Sequence, residues 1–243
     1  SQDTVYFDTV FTSLGSTTQS FTIHNPNKDK PIISSIRLAG GPASAFRMNV
    51  DGIAAYEVTD VEIEASDSLY VFCRVTIDPT DERSPFVISD SVVFETNGNR
   101  QDVNLVAWGQ NANYILADSY IPGYPKFRIV AHENEVTRWT SDRPYVIYGY
   151  AVVDSTGRLE IDRGARIHFH DQSGLWIYKG GSISVKGTAD APVVFQGDRL
   201  EEFYKDIAGQ WDRIWINEGS VNNEIDYAII RNGFIGLQLE TLQ

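Results

Sequence analysis

The amino-acid sequence predicts an all-β protein, in which an immunoglobulin-like β-sandwich is followed by the first rungs of a right-handed parallel β-helix. Two observations predict this fold class. Residues 1–111 hold many short alternating segments separated by turn residues, and residues 157–239 repeat themselves in units of short strands. With 42% hydrophobic and 12% aromatic residues, the composition is that of a folded chain rather than a disordered one.

The first unit, residues 1–111, is predicted as a sandwich because of its strand count. Apolar and polar residues alternate clearly in Ser20–His24 and Asp60–Glu64, and Asn97-Gly98 is a strong two-residue hairpin signal. Seven or eight strands in about 110 residues are typical of immunoglobulin-like domains, here in a variant without the disulfide. The expected strands are Thr4–Phe11, Gln19–His24, Ile32–Leu38, Phe46–Val50, Val58–Ile63, Leu69–Ile77, Val87–Glu95 and Val103–Ala107.

The single cysteine, Cys73, has no partner for an internal disulfide. It lies in an alternating segment on the same face as Leu69, Val71 and Val75, where a small apolar side chain is needed. We therefore expect a buried thiol that packs like valine, and a reactive thiol is the alternative.

Residues 112–144 are predicted to be a linker that also forms the N-terminal cap of the β-helix. Pro122, Gly123 and Pro125 interrupt regular structure there, while Phe127–Ala131 and Glu135–Trp139 are candidate cap strands. The β-helix itself is expected from Tyr145 to the end of the sequence, residues 145–243.

The β-helix is predicted from internal repetition. Gly157–Asp162 matches Gly181–Lys186 at an offset of 24 residues, and Ala165–Asp171 matches Ala191–Gly197 at an offset of 26. Each unit holds three short alternating strands broken by Gly and Asp. Units of about 25 residues with three strands are typical of a stacked parallel β-helix.

A third match shows where the repeat is interrupted. Leu175–Tyr178 matches Ile214–Asn217 at an offset of 39, which a 13-residue insertion at Asp198–Gln210 explains. The following turn is expected to keep an offset of 42, setting Ile183 against Ile225, Val193 against Ile235 and Phe195 against Leu237.

Charge and sequence ends limit the possible partners and settings. The net charge is −13 without any basic stripe, so we expect no nucleic-acid partner. No segment approaches the ~20 apolar residues of a membrane-spanning helix. The sequence starts at Ser1 and stops at Gln243 just after a strand, so we expect a processed N-terminus and further rungs beyond this chain.

The sequence resembles a known family in both halves. The first set of motifs comprises Asn25-Pro-Asn, Ser34-Ser-Ile-Arg-Leu-Ala-Gly-Gly, Phe46-Arg-Met-Asn-Val-Asp-Gly, Asp67-Ser-Leu-Tyr-Val-Phe and Phe94-Glu-Thr-Asn-Gly. The second, more specific set comprises Pro192-Val-Val-Phe-Gln-Gly-Asp-Arg-Leu-Glu and Gly209-Gln-Trp-Asp-Arg-Ile-Trp-Ile. These motifs are similar to the N-terminal part of Bacteroidetes surface lipoproteins that join an immunoglobulin-like domain to a right-handed parallel β-helix.

The resemblance covers nearly the whole chain and carries expectations about location rather than reaction. It implies an exported protein at the cell surface or outer membrane, with the periplasm as the alternative. Contact with the membrane would be made only through a lipid anchor attached upstream of Ser1. No catalytic residues are known for this family, so the resemblance assigns none to this chain.

The sharpest candidate for a metal site is His168 with His170 and Asp171. Ile167 and Phe169 are expected to point inward, so both imidazoles should point outward. The offset of 26 sets Val194 and Gln196 beside them, which adds no further ligand. Two solvated surface histidines are therefore the alternative, because a closed metal site needs more than two ligands.

Paired carboxylates for glycoside hydrolysis are not expected to stack. Glu160 and Asp162 point outward on one strand, but Ser184 and Lys186 are their predicted neighbours in the next turn. Glu201, Glu202 and Asp206 in the insertion could serve a site. The alternative is a solvated loop anchored by Leu200, Phe203 and Tyr204.

The aromatic residues give the main candidate ligand site. Trp176 and Trp215 are predicted to lie side by side on the outside of one sheet, where a pair of indoles suits stacking against sugar rings. The alternative is that the insertion or a neighbouring domain buries them. The full candidate ligand-binding set is Trp176, Tyr178, Tyr204, Trp211, Arg213 and Trp215.

These features favour a non-catalytic surface protein for binding or scaffolding, with polysaccharide or a cell-envelope protein as partner. The chain has no His-Glu-x-x-His, Gly-x-Ser-x-Gly, phosphate-binding glycine loop or Cys-x-x-Cys motif, and no cofactor is expected. The alternative is the N-terminal part of a β-helix polysaccharide lyase or hydrolase whose catalytic rungs lie beyond residue 243.

Overall fold

The computed structural model describes residues 3–11, 18–77 and 86–240, and these residues form an all-β structure. It contains 23 strands and two short 3₁₀ turns, Gly41–Ala43 and Glu202–Tyr204. No helix within the described ranges is long and apolar enough to cross a membrane. The chain divides into two units, residues 1–111 and 112–243.

The first unit consists of two β-sheets. One sheet has five strands in the order β1-β9-β8-β3-β6, and the other has four in the order β2-β7-β4-β5. All eight expected strands are present, with ends that differ by a few residues. The strands are β1 (Thr4–Phe11), β2 (Gln19–His24), β3 (Ile32–Leu38), β4 (Phe46–Val50), β5 (Ile53–Ala54), β6 (Glu57–Glu62), β7 (Ser68–Val75), β8 (Phe86–Thr96) and β9 (Asn99–Gln110).

Apolar side chains of the two sheets meet in one core, which makes this unit a β-sandwich. Phe7 of one sheet lies 5.4 Å from Phe46 of the other, measured between ring centroids. Cys73 is 1% exposed, which confirms the predicted buried thiol, and burial raises its pKa to about 12. The assignment of this sandwich to the immunoglobulin-like class stays a prediction.

The second unit is a parallel β-helix built from three sheets. The first coil sheet has the order β10-β13-β16-β19-β22, the second β11-β14-β17-β20-β23 and the third β12-β15-β18-β21. Each turn of chain adds one strand to each sheet. The strands are β10 (Asn113–Leu116), β11 (Phe127–Ala131), β12 (Val136–Trp139), β13 (Tyr145–Tyr148), β14 (Tyr150–Val153), β15 (Arg158–Asp162), β16 (Arg166–Phe169), β17 (Gly174–Ile177), β18 (Ser182–Lys186), β19 (Val193–Gly197), β20 (Ile214–Ile216), β21 (Glu224–Asp226), β22 (Ala228–Ile230) and β23 (Leu237–Leu239).

The coil begins earlier than the sequence indicated. Strands β10, β11 and β12 pair in parallel with β13, β14 and β15, so they form a complete first turn. The expectation of a linker and cap in 112–144 is corrected accordingly. The sequence pattern missed this turn because the loop around Pro122 and Pro125 lengthens it and hides its repeat.

Strand pairing confirms two of the predicted offsets and corrects two. Arg158 pairs with Ser182, and Trp176 pairs with Trp215, as predicted. Ile167, however, pairs with Phe195 instead of Val193. A slip of two residues keeps every side chain on its own face, so alternation cannot detect it.

The single offset of 42 for the following turn is wrong. Ile225 pairs with Val185, Ala228 with Val193 and Leu237 with Ile214. The three connections after the insertion differ in length, so one offset cannot describe all three sheets.

Inward rows of apolar side chains hold the coil together. One row joins Ala151, Leu175 and Ile214, and all three are fully buried. Burial of a leucine or isoleucine side chain contributes roughly 1.5–3 kcal/mol. A corner of the second turn depends on Gly149, whose φ is +83° and whose added Cβ would lie 2.6 Å from the Lys126 carbonyl oxygen.

Candidate functional site

The candidate site is a cleft of about 370 Å³ on the outer face of the second coil sheet. Seven apolar or aromatic side chains and one carboxylate line it. This composition is typical of small-ligand sites, which are mostly apolar with a few polar groups. The lining residues are Ile121, Tyr124, Phe127, Ile129, Val152, Asp154, Trp176 and Tyr178.

A loop between β10 and β11 forms one wall of the cleft. Ser119 and Phe127 pair across its base through two backbone hydrogen bonds of 2.9 and 3.0 Å. At its tip, the Tyr124 N–H donates to the Ile121 carbonyl at 3.0 Å, and Gly123 has a φ of +89°. Proline followed by glycine at the two central positions, with a positive φ at the glycine, is typical of a type II β-turn. The turn places Tyr124 against the sheet.

Trp176 forms the floor of the cleft and is only 7% exposed. The Tyr124 ring lies 5.6 Å from it with an interplanar angle of 14°, and the Trp215 ring lies 4.8 Å from it at 12°. Its indole N–H donates to the Asn217 side-chain oxygen. With two near-parallel rings against it, Trp176 offers no free face to a sugar ring.

Trp176 is therefore buried, as in the alternative interpretation, rather than exposed. That alternative named the insertion, with Phe203 and Tyr204, as the cover, and this part of it is wrong. Phe203 instead is 76% exposed, and Tyr204 packs under the Arg199 guanidinium at 4.0 Å. Tyr124, on the loop between β10 and β11, covers Trp176 instead, and no local sequence pattern predicts this contact.

Tyr178 and Asp154 supply the accessible chemistry of the cleft. The Tyr178 ring meets Trp176 edge-on at 5.8 Å and is 44% exposed. Asp154 Oδ1 accepts the Ser155 N–H at 2.7 Å, whereas Oδ2 has no hydrogen-bond partner among the described residues. An aromatic surface and a carboxylate oxygen are thus both free to contact a ligand.

Trp215 and Arg213 lie beside the cleft without lining it. Trp215 continues the outer row after Trp176, and its buried indole N–H finds no acceptor within the described residues. Arg213 is tied to Asp212 at 2.9 Å and to the Gln238 side chain. These contacts stabilise the sheet face, and they occupy the guanidinium with partners from the protein itself.

Trp211 lies inside the coil, which corrects its placement among the ligand-binding residues. Its ring stacks on Phe169 at 4.3 Å, and its N–H donates to the Arg231 carbonyl at 2.9 Å. Strand β20 starts three residues later at Ile214, so the alternation that places Arg213 and Trp215 outside says nothing about Trp211. Of the six proposed residues, the cleft brings together Trp176 and Tyr178.

The two histidines of the candidate metal site have different environments. His168 is 3% exposed, and burial lowers its pKa to about 4. Its Nδ1 lies 3.1 Å from the Gly197 carbonyl oxygen, and Gln196 lies beside it in the next turn. The expectation of two solvated histidines is wrong for His168, because neighbouring side chains in its row cover it.

His170 has a partner that the sequence did not predict. Its Nδ1–H donates to Asp198 Oδ2 at 2.7 Å, and its ring stacks on Tyr148 at 4.3 Å. Burial raises the pKa of Asp198 despite this bond. The two-residue slip in register explains the missed partner. Asp171 is exposed, and no group of three metal-binding side chains occurs among the described residues.

The outward carboxylates do not form a catalytic pair. Glu160 and Asp162 lie beside Ser184 and Lys186, as predicted. Asp162 is bound by Arg138 at 2.9 Å. In the insertion, Glu201 pairs with Arg199, Glu202 with Lys205, and Asp206 is exposed.

Comparison with known proteins gives a match to one family model in sequence and weak similarity to solved structures. No curated protein matches this chain. One similar solved structure is a family 123 glycoside hydrolase from Clostridium perfringens, studied for glycolipid glycan hydrolysis. The TM-score is 0.33 at 6% identity, over 47% of this chain and only 26% of that protein. A likeness of this size carries no argument about fold or activity. In sequence, residues 131–224 are similar to the pectate-lyase like beta helix domain family.

Proposed function

We propose that the β-helix unit is a carbohydrate-binding module whose ligand site is the cleft beside Trp176. The observation that carries this proposal is the accessible Tyr178 ring next to the unpaired Asp154 Oδ2 in a cavity of about 370 Å³. Similarity of residues 131–224 to a pectate-lyase like domain family supports a carbohydrate ligand.

The chemistry of the cleft fits a sugar ring. The C–H groups of a sugar are apolar and pack against aromatic surfaces, while its hydroxyls need hydrogen-bond partners when water is displaced. Tyr178, Tyr124 and Ile121 present apolar surface, and Asp154 can accept a hydroxyl hydrogen. Trp176 serves as the rigid floor that holds these groups in place.

Isothermal titration of the whole chain with a panel of neutral and acidic polysaccharides tests the proposal. Tyr178→Ala should weaken binding about tenfold, because loss of an aromatic anchor costs ~1.4 kcal/mol or more. Phe203→Ala is the matched control, since this aromatic residue is exposed on the same unit outside the cleft. Equal affinities of the two variants would place the ligand elsewhere.

A second candidate function is catalysis on a polysaccharide, and the pair of His170 and Asp198 favours it. Asp198 holds Nδ1 of the imidazole, and Nε2 has no partner among the described residues. A histidine oriented in this way can take a proton from a substrate hydroxyl or carbon. The rival proposal is thus a lyase or hydrolase that uses His170 as general base.

Release of new reducing ends from the same polysaccharides separates the two candidates. An enzyme should produce them at a rate that His170→Asn abolishes and Tyr178→Ala alters less. Binding without any new reducing ends supports the module.

We also propose that the protein acts at the cell envelope. The resemblance to surface lipoproteins supports this location. Fractionation of cells that make the natural protein tests it: recovery with the outer membrane is expected, and recovery in the cytoplasm would contradict it.

A further inference from the structure

A second cavity, of about 560 Å³, lies on the sandwich unit and contains two arginines. Arg47 of β4 and Arg74 of β7 are direct register partners on adjacent strands. Side chains opposite each other in an antiparallel pair have Cβ atoms about 4.5–5.5 Å apart. Two positive charges are thereby held side by side on a chain of net charge −13.

No described acidic residue forms an ion pair with either arginine. Arg47 is fixed, because its guanidinium donates to the carbonyls of Ser44 and Phe46 at 2.6 and 2.7 Å and lies over the Tyr56 ring. Arg74 is exposed, and its guanidinium has no hydrogen bond to a described residue. Like charges opposite each other are destabilising. A bound anion would remove that repulsion.

The other walls of the cavity are largely apolar. Met48, Ala54 and Ala55 line it together with the rings of Tyr56 and Phe72. Phe72 is 40% exposed and stacks on Tyr70 at 6.2 Å, so its ring orientation is supported from the side. Asn49 and Thr18 add polar groups. The cavity thus combines a cationic pair, a ring-sized apolar wall and hydroxyl partners.

We propose that this cavity binds a sugar ring that carries a carboxylate. The planar fork of a guanidinium matches a carboxylate in two parallel hydrogen bonds. Arg74 makes this contact, Arg47 adds charge, and the sugar ring packs on Phe72. The site lies wholly in residues 1–111, so the proposal does not depend on the cleft of the β-helix unit.

The test is titration of the whole chain with D-glucuronate, D-glucose and a tetramer of glucuronate. Glucose is the matched neutral ligand, because it differs from glucuronate only in carrying a hydroxymethyl group in place of the carboxylate. We expect binding of glucuronate that weakens with added salt, and none of glucose. A much tighter tetramer identifies an acidic polysaccharide as the source, whereas equal affinities identify the free sugar acid.

Arg74→Gln should lower the affinity about tenfold or more, the usual range for loss of a charge-assisted hydrogen bond. Arg100→Gln is the matched control, because Arg100 is exposed on the other sheet of the sandwich. Phe72→Ala should weaken the binding of glucuronate, because the sugar ring packs on Phe72, but the salt dependence of binding should stay the same. Equal binding of glucose and glucuronate, no binding of either acid ligand, or equal losses in the two arginine variants would overturn the proposal.

Discussion

Replacing Trp176 by alanine should destabilise the β-helix unit far more than replacing Tyr178, although the two residues share one outer face. Trp176 is 7% exposed and contacts two near-parallel rings, whereas Tyr178 is 44% exposed. Truncation of a buried tryptophan to alanine costs about 3–5 kcal/mol. Truncation at the surface costs about 1 kcal/mol or less.

Two further losses add to the cost at Trp176. Each aromatic contact is worth about 0.5–1.5 kcal/mol beyond area burial. The indole N–H also donates to Asn217, whose amide donates in turn to Glu240. Trp176→Ala therefore breaks a row of contacts that joins three successive turns of the coil, while Tyr178→Ala removes one edge-on contact.

Urea unfolding followed by far-ultraviolet circular dichroism measures both variants. Hydrogen exchange of peptides from β14, β17 and β20 assigns the loss to the second coil sheet. Trp176→Phe should lie between the wild type and Trp176→Ala. If Trp176→Ala costs no more than Tyr178→Ala, the ring stack does not stabilise this sheet and the reasoning is refuted.

Three other perturbations have defined outcomes. Gly174→Ala should lower the melting temperature, at a cost of about 1–3 kcal/mol for overpacking, because its Cβ would lie 2.5 Å from the Arg213 carbonyl oxygen and 2.7 Å from Tyr150. The free energy of unfolding should decrease as pH falls from 6.5 toward 4 because of His168. Burial lowers the pKa of His168 in the folded protein to about 4, so in this range only the unfolded chain gains the proton. The full effect is about 3 kcal/mol, and pH-dependent urea unfolding of His168→Gln should show a shallower slope. Cys73 should react with a thiol reagent only in urea, since its pKa is about 12 and its side chain is buried.

The local pattern of this sequence predicted most strands and one important pairing. Alternation has a period of two residues and therefore fixes which side chains face inward. The match between Leu175–Tyr178 and Ile214–Asn217 placed Trp176 beside Trp215, and the strand register confirms it. Buried Cys73 followed from the same rule.

The same period explains the failures. A slip of two residues leaves inward and outward faces unchanged, so the partner of His170 was read as Gln196 when it is Asp198. Trp211 stands before its strand, where alternation does not apply. Tyr124 reaches the cleft on a loop from a distant part of the chain, and tertiary contacts of this kind leave no trace in local sequence.

Fluorine NMR of the chain labelled with 5-fluorotryptophan tests carbohydrate binding in the cleft most directly. The five tryptophans give separate probes, and single Trp→Phe variants assign them. On titration with the polysaccharide that binds most tightly, the signal of Trp176 should shift with saturation, while that of Trp211 inside the coil stays unchanged. Saturable binding that leaves the Trp176 signal in place would contradict a ligand site in this cleft.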